Sequence, residues 1–185
     1  MAISKFNLNK HQRAERKLLM TVAEWKDDNG EITVTEGTTS YKVNRELLGR
    51  RTEDSSIEYN NDISTTTDIL GINYSDLNKT QPQQDFDPFL ILGDSLLGEK
   101  LNDIRKRNAL TELSDFTIYV ITAFVGDSSS GYECEKHIEC TITYNSIGGD
   151  VNVNMPISVY FSNNITNGTV DKTSEDFTFT PDVQL

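Results

Sequence analysis

Cys134, His137 and Cys140 fall within the stretch CEKHIEC. Two thiols and an imidazole at close spacing are the side chains that bind zinc. The stretch alternates like a strand, however, which puts both cysteines on one face and His137 on the other. Six residues of extended chain span ~20 Å, too far for a shared metal or for a disulfide between the two thiols. The sequence therefore predicts two buried thiols and no metal site.

Carboxylates are the second source of chemistry. Glu133 and Glu135 on one strand face would stand ~7 Å apart, near the spacing used in glycoside hydrolysis. A solvated acidic face accounts for them with fewer assumptions. The run Asp27-Asp28-Asn29-Gly30-Glu31 lacks the acid spacing of a calcium loop. Gly148-Gly149-Asp150 precedes a strand pattern, so it is turn chemistry and not a phosphate cradle. The histidines are His11 and His137, and no Gly-x-Ser-x-Gly stretch accompanies them. These readings predict no enzyme and no cofactor.

The elements that position these residues are mostly strands. Residues 18–25 read as a strand, with 31–37 as its hairpin partner across an Asn29-Gly30 turn. Residues 38–54 look irregular, with a turn at Gly49. Residues 55–71 are extended but polar, and 73–88 read as a polar connector. Leu96, Leu97, Lys100, Leu101 and Ile104 share one face at helical spacing, giving a helix over about 94–108 capped by Asp94 or Ser95. Arg105, Lys106 and Arg107 stand at its end, where the helix dipole favours cations. Residues 116–126 are apolar on both faces, as in a strand buried between a helix and a sheet. Residues 132–145 alternate, with Tyr132, Cys134, Ile138, Cys140, Ile142 and Tyr144 on the apolar face and Lys136 as the exception. Glu133, Glu135, His137, Glu139, Thr141 and Thr143 form the wet face. Residues 151–161 alternate again, with Val151 and Val153 inward and Asn152 and Asn154 outward. Pro156 marks an edge or bulge there. Residues 162–169 read as a polar turn, followed by a short terminal strand. The expected fold class is mainly β: an antiparallel β-sandwich or partial barrel with one flanking α-helix, an extended N-terminal arm and a long loop or hairpin. The expected organisation is an arm over 1–20, one β domain over 21–180 and a tail over 181–185.

Composition limits the partners. The 185 residues carry 29 acids against 17 bases, a net charge of −12, and 36% are hydrophobic. That charge argues against a nucleic-acid clamp, which needs Lys and Arg to displace phosphate counterions. The low apolar share suggests that arms, loops or subunit contacts take up part of the chain. No stretch approaches the ~18 apolar residues of a membrane span. The first 20 residues lack the apolar run of a secretory signal, so the sequons at Asn78, Asn164 and Asn167 are expected to be chance matches.

From about Tyr41 to Phe179 the chain resembles the major tail tube proteins of long, non-contractile-tailed bacteriophages. The resemblance rests on the order of LLGRRTEDSSIEYNNDISTTTDILG, DPFLILGDSLLGEKLNDIRKRNAL, DFTIYVITAF, SIGGDVNVNMPISVYF and NGTVDKTSEDFTF. It implies a virion structural protein, assembled in the host cytoplasm into stacked, hexameric rings. It also implies tape measure, tail terminator and distal tail proteins as partners, and an electronegative lumen through which DNA passes without specific binding. A long hairpin or loop and the terminal arms would reach neighbouring subunits. A tube protein of a contractile injection or secretion system is the alternative in the same class. A carbohydrate-binding β-sandwich is the alternative outside it, and Trp25, the single tryptophan, gives it no aromatic platform.

On this reading Glu133, Glu135, Glu139, Thr141 and Thr143 are the candidate lumen lining, extended by Asn152 and Asn154. An acidic, hydrated wall repels DNA, which carries about one charge per 1.7 Å, and lets it slide. The bases Arg13, Arg16 and Lys17 are candidates for docking on an acidic neighbour. The threonine-rich segment 56–71 is expected to pair through its backbone with a neighbour. Asp68 would guard that edge or pair with Arg50 or Arg51 across the interface.

Overall fold

The computed structural model describes residues 6–52 and 54–182; the first five residues of the expected arm and the last three of the expected tail lie outside them. In chain order the elements are β1 (Leu19–Lys26), β2 (Ile32–Glu36), β3 (Thr39–Leu47), β4 (Ile57–Glu58), β5 (Asp62–Thr67), β6 (Asn73–Lys79), β7 (Gln83–Phe86), α1 (Leu96–Arg107), β8 (Phe116–Asp127), β9 (Gly131–Tyr144), β10 (Ile157–Tyr160), β11 (Ile165–Val170) and β12 (Phe179–Pro181). Ten strands form one sheet in the order β2-β3-β1-β8-β9-β10-β7-β4, with β11 on β9 and β12 on β11; β5 and β6 form a sheet of their own. The protein is mainly β, antiparallel throughout, with one helix, as the sequence predicts.

β8 is buried on both faces and divides the core. Phe116, Ile118 and Val120 face one cluster, which takes Leu97, Leu101 and Ile104 from α1. Tyr119 and Ile121 face the other, with Val22, Cys134, Val170 and Phe177. Each fully buried aliphatic side chain stabilises by about 1.5–3 kcal/mol, so the two faces of β8 organise most of the apolar burial. Helix α1 begins at the predicted cap: Ser95 Oγ accepts from Gly98 N at 3.1 Å. It ends at Asn108, in the left-handed region with φ +56°. Glu46 completes the start, accepting from Leu97 N at 2.7 Å and from Ser95 Oγ at 2.9 Å.

Several expectations are corrected. β1 does not pair with β2. Both pair with β3: β1 along Val43–Leu47 and β2 along Thr39–Val43. The chain switches sides of β3 at Asp27–Gly30, where a Cβ on Gly30 would meet the Val43 carbonyl oxygen at 2.5 Å. Only glycine fits at that approach. β3 itself, read as irregular, buries two charged residues, Arg45 and Glu46, which breaks the apolar alternation. β6 and β7 occupy the expected connector, and β11 the expected turn. Residues 151–156 are not strand; Val151 and Val153 are exposed, and regular pairing starts at Ile157, directly after Pro156.

Candidate functional site

The acidic face predicted on β9 is split by a bulge. Ile118 pairs with His137 and Phe116 with Cys140, so Ile138 and Glu139 together oppose one residue of β8. Glu139 takes φ +62° there. One extra residue reverses which face every later side chain uses. Cys134 therefore packs with Tyr119 and Ile121, whereas Cys140 packs with Phe116 and α1. The two thiols lie on opposite faces, not on one, and burial pushes Cys134 up to about 12. Among the described residues no three His, Cys, Asp or Glu side chains gather as a metal site.

The candidate lumen residues separate accordingly. Glu133 and Glu135 are exposed on the side of β9 that continues as Cys140 and Ile142. Thr141 and Thr143 are half-buried on the other, and Thr141 Oγ1 bonds Ser114 Oγ at 3.0 Å. Glu139 sits at the bulge and lines a cavity of about 550 Å³ with Lys26, Lys100 and Asp115. His137, expected to be wet, is buried against Phe161. Its Nδ1 lies 3.2 Å from Ser162 O and its Nε2 3.4 Å from Glu135, whose carboxyl this contact holds below the usual range. Lys136 faces Tyr119 and Phe179, with Nζ 5.9 Å from each ring centre. Asn152 is exposed. Asn154 is a structural clamp: its Oδ1 accepts from Phe89 N at 2.8 Å and its Nδ2 donates to Asp87 at 3.2 Å.

The stretch around Asp68 forms a free-standing hairpin. β5 pairs with β6 from Asp62↔Lys79 to Thr67↔Asn73, inside its own chain. Seven of seven β6 residues and five of six β5 residues are exposed. Asp68 builds the tip: its Oδ1 accepts from Leu70 N at 2.8 Å and Ile72 N at 2.9 Å, and Tyr74 OH reaches its Oδ2 at 3.3 Å. These bonds hold its carboxyl below the ordinary value. Beyond that anchor the tip is apolar and bare, with Ile69 102% and Leu70 78% exposed.

The predicted docking bases converge elsewhere. Arg16, Lys17 and Arg50 line one cleft of about 350 Å³ whose floor includes Leu19, Met20, Leu47 and Phe86. Arg16 is fixed by two bonds to Ser55 O, at 3.1 and 2.7 Å. Lys17 pairs with Glu15 at 2.6 Å. Arg50 pairs with Asp94 at 3.0 Å and Glu175 at 3.3 Å, not with Asp68 of its own chain. Arg13 and Arg51 are exposed beside these elements in sequence, Arg51 at φ +62°. Sequence reasoning missed the buried pair beneath the second core: Arg45 Nε donates to Glu24 at 2.6 Å, and Arg45 Nη1 to Phe177 O at 2.6 Å. Glu24 lies in the strand read as LLMTVAEW and Arg45 in a stretch read as irregular, so no local pattern joined them.

No family model matches the chain, and no curated protein matches it. Among solved structures it is similar to the anti-feeding prophage cap, a tube-terminating cap, at 12% identity and a TM-score of 0.46, over 91% of this chain and 99% of that one. A likeness of that size carries no argument about what this chain assembles into.

Proposed function

We propose that this protein is a structural subunit of a phage-type tail tube, polymerising as stacked rings around a DNA-conducting bore. The hairpin β5–β6 carries the reading. It is exposed along both strands, its strands pair only with each other among the described residues, and it ends in bare Ile69 and Leu70. A two-stranded ribbon is marginally stable alone, and an apolar tip in water has no use for a monomer. Packing against further copies of the chain supplies both needs. The resemblance of the order of its segments to that of tail tube proteins and the net charge of −12 support the same reading. Of the acidic face, Glu133 and Glu135 remain together and exposed, so they are the acids assigned to the bore.

Sedimentation velocity over a concentration series tests this. Growth from monomer to rings and longer particles is the expected result. A single monomeric species at every concentration, with and without a tail initiator complex, counts against it.

A further inference from the structure

We infer that the chain carries a binding site for a neutral oligosaccharide at the Tyr160–Gln83 end of strands β10 and β7, independent of the tube reading. A cavity of about 610 Å³ opens there, within the range of small-ligand sites, and its lining holds no charged side chain. Amides and a hydroxyl supply the polar part, from Asn60, Gln81, Gln83, Ser162 and Asn163. Tyr160 adds an aromatic ring, 43% exposed. In a chain of which 25% is charged, such a lining selects a ligand that is polar and uncharged.

The walls are held in place by the fold. Phe161 N donates to Pro82 O at 3.0 Å, Gln81 N to Tyr59 O at 3.0 Å and Asn60 Nδ2 to Gln81 O at 3.3 Å. The side chains of Gln81, Tyr160 and Asn163 make no hydrogen bond among the described residues. Gln83 Nε2 donates to Asp85 at 3.0 Å, which leaves its carbonyl oxygen to accept. Amides and phenols both donate and accept, which matches sugar hydroxyls that do the same. The register sets Glu58, Gln83 and Tyr160 side by side on one sheet face. At the usual strand spacing that row covers about 10 Å, the length of a disaccharide. The Tyr160 ring offers an apolar face to the C–H side of a pyranose ring. Glu58 and Asp85, next to Gln83, accept from hydroxyls and repel uronic and sialic acids, so the ligand is neutral.

Saturation-transfer NMR on the full chain tests this, with maltotriose, cellotriose and chitotriose as neutral probes and trigalacturonate as the acidic control. Transfer to at least one neutral probe and none to trigalacturonate is expected. Tyr160→Ala and Gln81→Ala change exposed side chains and are expected to keep the wild-type circular dichroism. Each is expected to weaken binding about tenfold, whereas Tyr160→Phe, which keeps the ring, binds as the wild type does. Transfer to none of the neutral probes, transfer unchanged in Tyr160→Ala and Gln81→Ala, or equal transfer to trigalacturonate would overturn the site. None of these outcomes touches the tube reading, because transfer is read on monomer and assembly alike.

Discussion

Glu46 is a buried carboxylate at the start of a helix, and its titration has a sign. Burial raises its carboxyl above the ordinary value, against the opposing hydrogen bonds from Leu97 N and Ser95 Oγ. A raised folded-state value means that the stability tied to this group is fully present below the unfolded value. It is lost as pH rises through the folded value. Glu46→Gln keeps one acceptor for Leu97 N and a donor for Ser95 Oγ. It is expected to fold and to remove that pH-dependent loss, read as a flatter denaturation midpoint from acid to neutral pH. Asp68 has the opposite sign. Its carboxyl is lowered chiefly by the Ile72 amide, so the order it gives the tip is present above the ordinary carboxylate value and is lost as pH falls through the lowered one. Asp68→Ala is expected to speed hydrogen exchange at Leu70 and Ile72 while the amides of β8 stay protected. The pair Glu24–Arg45 is 2.6 Å apart with both side chains nearly sequestered. Arg45→Ala leaves Glu24 uncompensated, so it is expected to cost about 3–5 kcal/mol and to release the segment around Phe177, to which Arg45 also donates.

At the level of elements, the crossing of β3 by residues 27–31 depends on one glycine. Gly30→Ala places a Cβ 2.5 Å from backbone at Val43, with no flexible side chain to move aside. It is expected to cost about 1–3 kcal/mol in chemical denaturation and to detach β2 first. The elements legible in the sequence were those whose side chains alternate or repeat for burial: β1, β8, β9 and α1, the last with its Ser95 cap. β6 and β7 were not legible. β6 buries nothing, and β7 places Gln84 inside, bonded to Thr21 at 2.8 Å. The bulge at Ile138–Glu139 left no trace, because cores lie on both sides of β9. Cys134 and Cys140 are apolar in the same sequence phase while facing opposite ways. That is why the predicted acidic face dissolved into Glu133 and Glu135 on one side and Thr141 and Thr143 on the other. The sequence grouped Arg13, Arg16 and Lys17 for docking and set Arg50 or Arg51 against Asp68; folding instead brings Arg16, Lys17 and Arg50 to one cleft, with Arg50 paired to Asp94 and Glu175.

The whole molecule has a closed part and an open part. The ten-stranded sheet, α1 and the two cores satisfy one another, and among the described residues no buried side-chain nitrogen or oxygen lacks a partner. The hairpin β5–β6, with its bare tip, is left over from that closure. Its polar strands, rich in threonine and serine, keep it soluble while free, and its apolar end gives it something to bind. In the proposed tube, copies carrying a net charge of −12 repel one another, so assembly is expected to strengthen with moderate salt as like charges are screened, read by sedimentation velocity. The proposed tube is a hollow assembly of copies of this chain. Negative-stain electron microscopy of the purified protein over a concentration series tests it most directly. Rings and hollow tubes of one uniform width are expected; dispersed monomers at every concentration, or amorphous aggregates without a bore, would contradict the tube.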